Sequence, residues 1–192
     1  MPCVCSGRTR WRFDDEGLEE TVALEMVVPP GGPLISTIGD IGGFRHDDLA
    51  SANNSRYFEP HGGTNRGLDF AELAPDVMVR TSDPTPTAGF RSTDGGDSFK
   101  AIGSVDDAGL VGFGKAAPGQ SHPAVFVWGK VGGVEGVFRS DDVGKTWIKL
   151  HDDQWGFAEL RALTGDPNRF GRVYLGVHGR GILYGDPSPS KN

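Results

Sequence analysis

The chain has 192 residues, a length typical of a single domain, and it contains 30 glycines and 13 prolines. A chain so rich in turn-forming residues is not a helical bundle, and without a three-residue glycine period it is not collagen-like. The net charge of −7 argues against nucleic acid or an anionic membrane as a partner. Apolar runs such as Ala124–Trp128 are too short to span a membrane.

The N-terminus carries no targeting or metal-binding signal. Its first residues, MPCVCSGRTRWRF, lack the apolar stretch of a signal peptide. Cys3 and Cys5 are one residue apart, and two thiolates alone make a poor zinc site, so we interpret them as free thiols. We expect residues 1–16 to be a frayed extension and residues 188–192 a tail, and we expect no metal and no cofactor.

Short apolar runs bounded by Gly, Pro, Asp and Asn predict strands along most of the chain. Residues 17–66 are expected to hold strands Thr21–Val28 and Leu34–Ile38 and then a loop-rich stretch, Gly39–Gly67. Residues 67–187 are expected to form propeller blades. Their predicted strands are Leu68–Leu73, Val77–Thr81, Gly89–Ser92, Ser98–Ile102, Leu110–Phe113, Ala124–Trp128, Gly136–Ser140, Thr146–Leu150, Leu160–Leu163, Val173–Val177 and Gly181–Tyr184.

A ten-residue repeat organises these strands. Phe90–Phe99 and Phe138–Trp147 both read F-R-S-x-D-x-G-x-(S/T)-aromatic, 48 residues apart. A period of 40 to 50 residues with short strands is typical of propeller blades. In each copy the Asp can accept backbone N–H bonds, the Gly supplies a positive φ, and the ring packs inward. The predicted turn residues are Ser92, Asp94, Gly96, Phe99, Ser140, Asp142, Gly144 and Trp147.

The repeat resembles the Asp-box, or BNR repeat, of sialidases and related β-propellers. In those families the box is a structural turn remote from the catalytic centre. The resemblance therefore implies that Asp94 and Asp142 form turns rather than a catalytic carboxylate pair. An Asp-box alone does not specify a reaction, and no arginine triad of the sialidase kind is present.

Longer motifs resemble the C-terminal part of glycoside hydrolase family 74. In chain order they are LISTIGDIGGFRHDDL (Leu34–Leu49), GLDFAEL (Gly67–Leu73), VGFGKAAPG (Val111–Gly119), GKVGGVEGVFRSDD (Gly129–Asp142) and GDPNRFGRVYLGVHGRGILYGDP (Gly165–Pro187). The family holds xyloglucan-specific endo-β-1,4-glucanases and reducing-end-specific xyloglucan cellobiohydrolases. The resemblance implies a secreted, cofactor-free polysaccharide hydrolase built from two facing β-propellers, with the xyloglucan backbone between them.

The resemblance also implies a catalytic role for Asp40. Family members invert the anomeric centre with two aspartates, one from each propeller, and IGDIGGF matches the segment of the proton donor. Inverting hydrolysis needs such an acid and a second carboxylate that activates water. Apolar neighbours of Asp40 would favour its neutral form. Arg45, His46 and Asp47 follow closely and are candidates to orient the acid or contact sugar, and Trp155 is a candidate for stacking on a sugar ring.

Two departures from the family pattern limit what the chain is expected to do. The N-terminal propeller with the partner aspartate is absent, and the join between Thr81 and Gly89 is compressed, as if whole blades were removed. We therefore expect an all-β fold, an open partial β-propeller of about three four-stranded blades, which aggregates unless a second chain completes it. The expected function is an inactive, acid-carrying fragment of a xyloglucan hydrolase. The alternatives are a non-catalytic glucan-binding module and a truncated structural remnant.

Overall fold

The computed structural model describes residues 20–49, 55–83, 87–152, 157 and 159–188, and these residues form 15 β-strands in four antiparallel sheets. The all-β propeller architecture expected from the sequence is confirmed. No helix in the described part of the chain is long and apolar enough to span a membrane.

Each sheet is a meander in which consecutive strands pair. The first sheet contains β1 (Ala23–Val27), β2 (Leu34–Ile38), β3 (Gly42–His46) and β4 (Ser55–Tyr57). The second contains β5 (Leu68–Ala71), β6 (Ala74–Thr81), β7 (Gly89–Ser92) and β8 (Lys100–Ile102). The third contains β9 (Val105–Gly114), β10 (Ala124–Val131), β11 (Val134–Ser140) and β12 (Ile148–Lys149). The fourth contains β13 (Leu160–Gly165), β14 (Val173–Val177) and β15 (Gly181–Gly185).

The sheets stack in chain order, with their first strands β1, β5, β9 and β13 packing on neighbouring blades. Three apolar clusters fill the junctions. Ile35, Met78 and Phe90 belong to the cluster between the first two sheets, and Val79 and Val127 to the next. The third junction is filled by Phe126, Val137, Leu163 and Leu175, among others. Blade-on-blade burial of apolar side chains therefore holds the array together.

Because side chains alternate along a strand, each sheet has two faces. We call the face turned toward the following sheet the forward face, and the opposite one the rear face. In the third sheet, the pairing of Val111 with Val127 places both on the rear face, whereas Phe126 and Val137 lie in the cluster shared with the fourth sheet. Every internal junction joins the forward face of one sheet to the rear face of the next.

The first sheet differs from the sequence-based expectation. Residues 39–67 were expected to be rich in loop, but they contain β3 and β4, which complete a fourth blade. The motif G-G-F-R-H has two glycines and two polar residues in five positions, so it carries no strand-like apolar pattern. The strand forms because Phe44 packs on Tyr57, with ring centroids 4.4 Å apart, and because Ser36 Oγ and His46 Nε2 are hydrogen-bonded at 2.8 Å.

Candidate functional site

Strand connectivity places the turns of the array on two opposite rims. In an antiparallel meander, the turn between the second and third strands lies at the same end as the connection to the next sheet. The turn at 39–41, the connection 58–67 and the described part of the 82–88 turn therefore share one rim, which we call the Asp40 rim. The turns at 93–99 and 141–147 lie on the other, which we call the Asp-box rim.

Asp40 occupies a strained turn on the Asp40 rim. Its φ is +69°, and the N–H of Ile41 donates to the carbonyl of Gly39 at 2.9 Å. A hydrogen bond across one residue with positive φ defines the less common form of γ-turn, which is unfavourable for a residue with a Cβ. Strain of this kind persists only where surrounding contacts impose it. The turn leaves Asp40 exposed, so the described residues do not supply the apolar surroundings that the sequence suggested.

Thr64 holds the backbone of this turn from the adjacent connection. The N–H of Asp40 donates to Thr64 Oγ1 at 3.1 Å, and the same hydroxyl lies 3.5 Å from Asp40 Oδ1. Next to it, the N–H of Asn65 donates to the carbonyl of Ile38 at 3.3 Å, where β2 ends. The position of Asp40 is therefore set through the backbone, and within the described residues its carboxylate contributes one long contact.

A buried arginine supports the Thr64 segment from behind. Arg80 is fully buried, and it donates to Asn65 Oδ1 at 2.6 Å and to the carbonyl of Pro60 at 2.7 Å. Its guanidinium lies among three aromatic rings, those of Phe58, Phe90 and Phe99, at 4.3–5.2 Å from their centroids. Burial lowers the pKa of Arg80 to about 10. Arg80 fixes the connection that in turn positions Asp40.

A second carboxylate, Asp83, reaches the same threonine. Asp83 Oδ2 accepts the N–H of Thr64 at 2.9 Å, and its other oxygen lies 3.7 Å from Arg66. The backbone N–H of Asp83 also donates to the carbonyl of Thr64 at 3.0 Å. These contacts use Asp83 to close the loop against the second sheet. Asp83 thus differs from Asp40, although both lie on the Asp40 rim.

The three predicted neighbours of Asp40 have other partners. Roughly 10 Å of extended strand separates Gly42 from Arg45. Arg45 donates to the carbonyl of Gly95 and to Asp47 Oδ1 at 2.9 Å, and it therefore faces the Asp-box rim. His46 is buried and bonded to Ser36. The structure does not bring these side chains to Asp40, and their contact with sugar stays a prediction.

Asp47 joins a small charged network that also ties the first two sheets together. Its carboxylate accepts from Arg45 and, at 2.8 Å, from Arg56, whose guanidinium also reaches Asp97. Hydrogen bonds from these two arginines lower the pKa of Asp47. Trp155, the fourth candidate for sugar contact, lies outside the described residues.

The two Asp-box segments form the same hydrogen-bonded turn. Asp142 Oδ1 accepts the N–H of Thr146 at 2.8 Å, and Asp142 Oδ2 accepts its hydroxyl at 2.6 Å. Ser140 Oγ accepts the N–H of Gly144 at 2.7 Å, and Gly144 has a φ of +82°. The first box repeats this pattern, with Asp94 accepting the N–H of Ser98 at 3.0 Å.

The carboxylates of both boxes are held in their charged form. Hydrogen bonds from the side chain and N–H of Thr146 lower the pKa of Asp142 to about 2. For Asp94, burial alone would raise the pKa, but hydrogen bonds from Ser92 and Ser98 outweigh it and the pKa falls to about 2. Of the two aromatic residues that end the boxes, Phe99 is buried and Trp147 packs against the core.

Sequence reasoning missed one carboxyl group, Asp69 on β5. Its oxygens accept the N–H groups of Phe113 and Phe70 at 2.8 and 2.9 Å. Burial, with smaller contributions from the charges of Glu72 and Glu25, raises the pKa of Asp69 to about 6. Together with Lys115 it lines a cavity of about 150 Å³ on the Asp-box rim. An Asp inside an otherwise apolar strand, L-D-F-A, is the signal that could have found it.

The described residues offer no arrangement suited to a metal. No group of three or more His, Cys, Asp or Glu side chains converges within the described part of the chain. The His46-Asp47-Asp48 triplet does not converge, because His46 is bonded to Ser36 and Asp47 to two arginines.

Comparison with known proteins gives several relatives of one kind. A xyloglucanase of Acetivibrio thermocellus, Xgh74A, is 53% identical over 315 aligned residues, which cover 95% of this chain and 37% of the relative. A xyloglucanase of Paenibacillus is 26% identical over 92% of this chain and 31% of its own length. No family model matches the sequence. The chain spans about a third of the length of these curated relatives.

Two solved structures also match, with TM-scores below 0.5. The GH74 xyloglucanase of Xanthomonas campestris is 25% identical with a TM-score of 0.42, and the match covers 90% of this chain and 44% of that one. The GH74 enzyme of Niastella koreensis is 22% identical with a TM-score of 0.43, and the match covers 86% of this chain and 43% of that one. The alignment with the Acetivibrio relative is 315 positions long, 123 more than the 192 residues of this chain. The relative therefore carries extra residues within the matched region.

Proposed function

Since the chain is a relative of the glycoside hydrolase family 74 xyloglucanases and resembles their C-terminal part, we propose that it carries the proton-donor half of a xyloglucan-hydrolysing site, with Asp40 as the acid. The reaction is inverting hydrolysis of β-1,4-glucosidic bonds. In it, Asp40 protonates the oxygen of the leaving sugar while a carboxylate from elsewhere activates water. The chain acts on a polysaccharide and uses no metal or organic cofactor.

The free carboxylate of Asp40 is the observation that carries this proposal. Its turn is held by the backbone, its φ of +69° is strained, and the carboxylate is exposed with one contact at 3.5 Å. A general acid must have a proton within reach of the substrate rather than lone pairs saturated by its own loop. A facing domain that covers the Asp40 rim would desolvate the carboxyl group and favour its protonated form.

The chain by itself is expected to hydrolyse xyloglucan little or not at all. Asp83 is the described carboxylate that shares Thr64 with Asp40, but the Thr64 N–H and Arg66 engage its two oxygens. A carboxylate fixed in this way is poorly placed to take a proton from water. Activation of the water is therefore left to a group outside the described residues.

Azide can test the acid role because it attacks the anomeric carbon without a general base. Purified chain is incubated with xyloglucan, with and without azide, and reducing ends and glycosyl azide are measured. We expect no hydrolysis without azide. With azide we expect slow cleavage in which the C1–N bond forms, the C1–O bond breaks and Asp40 gives its proton to the leaving oxygen. Asp40→Asn should abolish this cleavage.

Glu72→Gln is the matched control, because Glu72 is an exposed carboxylate in the turn between β5 and β6, on the Asp-box rim. Its cleavage with azide should equal that of the unmodified chain. Azide-dependent cleavage that survives in Asp40→Asn would contradict the acid role. Hydrolysis without azide that disappears in Asp83→Asn would instead identify Asp83 as a base and the chain as self-sufficient.

A non-catalytic glucan-binding module is the second candidate. The observation that favours it is the exposure of the Asp40 turn, whose described carboxylate makes a single long contact. Titration of the chain with xyloglucan oligosaccharides, followed by calorimetry, distinguishes the two. Binding that is unchanged by Asp40→Asn, together with no cleavage in azide, favours the binding module.

A further inference from the structure

A phenylalanine–arginine pair recurs on the third strand of the first three sheets. Its arginines are Arg45 on β3, Arg91 on β7 and Arg139 on β11. Two of them bond to an aspartate that lies two residues ahead. Arg45 donates to Asp47 Oδ1 at 2.9 Å, and Arg139 donates to both carboxylate oxygens of Asp141 at 2.9 Å. The chain therefore supplies a counter-charge to these two arginines.

Arg91 has no such counter-charge. Thr93 stands two residues ahead of it, where the other two sheets have an aspartate. The side chain of Arg91 is half-buried, burial lowers its pKa, and no carboxylate among the described residues pairs with it. Both aspartates of the following turn, Asp94 and Asp97, are hydrogen-bonded to other residues. The second sheet thus holds a partly desolvated cation that its own sequence does not neutralise.

A second cation lies directly opposite Arg91. Arg91 pairs with Lys100 in the antiparallel register of β7 and β8, so the two side chains lie on the same face, and like charges in this position destabilise a sheet. In the first sheet the corresponding pair is Arg45 with Arg56. There the carboxylate of Asp47 accepts from both arginines, at 2.9 and 2.8 Å. The first sheet therefore shows how one carboxylate bridges such a pair of cations.

The pair in the second sheet borders a cavity of about 240 Å³ on the Asp-box rim. Arg91 and Lys100 form one wall, and Val143, from the Asp-box turn of the third sheet, forms part of another. Thr93 and Ser98 also line the cavity, and the hydroxyl group of Thr93 is a further possible donor. The two cations and this hydroxyl give the cavity the donors that a carboxylate needs.

We propose that Arg91 and Lys100 form a binding site for a carboxylate ligand, which takes the place in the second sheet that the carboxylate of Asp47 takes in the first. One ligand oxygen accepts from the guanidinium group and the other from the ammonium group. A free organic acid and a uronic sugar both present this group. The site lies on the rim opposite Asp40 and is independent of the proposed hydrolysis.

Thermal unfolding of the full chain tests the site with sodium acetate and sodium glucuronate, while sodium chloride holds the ionic strength constant. A ligand that binds the folded chain raises the unfolding midpoint, and we expect this rise with at least one of the two carboxylates. Arg91→Gln should weaken binding by about tenfold, because it removes a charge-assisted hydrogen bond. Arg161→Gln is the control, since Arg161 is exposed and paired with Glu159 at 2.7 Å, and it should respond like the unmodified chain.

Thr93→Asp tests the site without removing either cation. It builds in the carboxylate that Asp47 and Asp141 provide in the other sheets. It should therefore raise the midpoint in the absence of ligand and abolish the response to added carboxylate. Thr93→Asn, which has the same size without the charge, should keep the response. Equal responses in the two Thr93 variants, an undiminished response in Arg91→Gln, or no response in the unmodified chain would each overturn the proposal.

The two carboxylates distinguish the sources of the ligand. Tighter binding of glucuronate than of acetate assigns the site to an acidic sugar, and binding of glucuronate no tighter than that of acetate assigns it to a free organic acid. Both outcomes support a carboxylate site. Sodium sulfate is the third ligand. If sulfate binds more tightly than either carboxylate, the site is not a carboxylate site and the proposal fails.

Discussion

Asp40, Asp94 and Asp142 each lie in a tight turn after a β-strand, and their carboxylates are used in two different ways. Asp94 and Asp142 accept the N–H and hydroxyl groups of the residues four positions ahead, and the positive φ angles of their turns fall on the two residues that follow, Gly95 with Gly96 and Val143 with Gly144. Asp40 itself takes the positive φ, at +69°, and its carboxylate has one contact at 3.5 Å.

This difference separates a structural aspartate from one that is available for chemistry. In the Asp-boxes, removal of the carboxylate removes the bonds that close the turn. At Asp40 the turn is closed by the Ile41 N–H and the Thr64 hydroxyl, and the carboxylate adds one contact at 3.5 Å. The described contacts assign the carboxylates of Asp94 and Asp142 to their turns and leave that of Asp40 with one contact, as the proposed acid role requires.

The largest expected effect concerns Arg80, the buried arginine that holds the segment next to Asp40. Arg80→Leu should lower the free energy of unfolding by about 4 kcal/mol, because it removes packing against three rings, leaves Asn65 Oδ1 buried without its donor and removes the donor of the Pro60 carbonyl. Urea denaturation measures the loss. Arg66→Leu is the control, since its exposed side chain has one ion pair at 3.7 Å, and the expected change is within about 0.5 kcal/mol. An equal loss in both variants would contradict a special role for Arg80.

The next effect concerns Asp69, whose carboxylate is neither in a turn nor free. Its pKa in the folded chain is about 6, above the ordinary aspartate value of 3.8. The folded state therefore binds the proton more tightly, and the stability from this group is complete below pH 3.8 and is lost as the pH rises through 6. The shift corresponds to about 3 kcal/mol at most. Thermal unfolding from about pH 4 to 7 should show this slope, and Asp69→Asn should flatten it. If Asp69→Asn leaves the pH dependence of stability unchanged, Asp69 is not the group that causes it.

The Asp-box carboxylates should give a smaller loss with the opposite pH dependence. Asp142→Gly should lower the free energy of unfolding by about 2 kcal/mol, because the turn loses the acceptor of the Thr146 N–H and gains backbone freedom. The pKa of Asp142 is about 2 in the folded chain, below the ordinary aspartate value of 3.8. Its contribution is therefore present above pH 3.8 and is lost as the pH falls through 2. Chemical denaturation at about pH 7 should show the full loss in Asp142→Gly, and at about pH 2.5 a smaller one. A variant as stable as the unmodified chain at about pH 7 would contradict the prediction.

Much of this fold was predictable because the repeat carries its own local chemistry. The 48-residue offset between the boxes aligned β7 with β11, and the predicted strands Gly89–Ser92, Val173–Val177 and Leu34–Ile38 coincide with β7, β14 and β2. The first blade was missed beyond β2 because its third strand has a degenerate box. Phe44-Arg45 lies 46 residues before Phe90-Arg91, but His46 replaces the serine. His46 instead bonds to Ser36 on the neighbouring strand, and only the fold brings these two residues together.

The candidate site divides in the same way between local and tertiary signals. A sequence motif identified Asp40 as a candidate. The motif did not show that Arg45 and Asp47 lie toward the opposite rim, because residues close in sequence can lie at opposite ends of a strand. The support by Thr64, Asn65 and Arg80 comes from distant parts of the chain and follows from packing of the first two sheets. The contacts that hold the Asp40 turn are therefore tertiary, whereas the motif that carries the proposed acid is local.

The smallest expected effect compares the two kinds of aspartate most directly. Replacement by glycine should change the free energy of unfolding in opposite directions at Asp40 and at Asp142. Asp40→Gly should raise the free energy of unfolding by about 0.5 to 1 kcal/mol, since glycine adopts a φ of +69° without the cost that a Cβ imposes. Asp142→Gly, described above, should lower it. Thermal unfolding of the two variants side by side measures the difference in sign. A loss at Asp40 would mean that its carboxylate holds the turn, and Asp40 would then be a third structural aspartate. A gain would mean that the chain gives up stability to keep an exposed carboxylate on the Asp40 rim, as the proposed acid role requires.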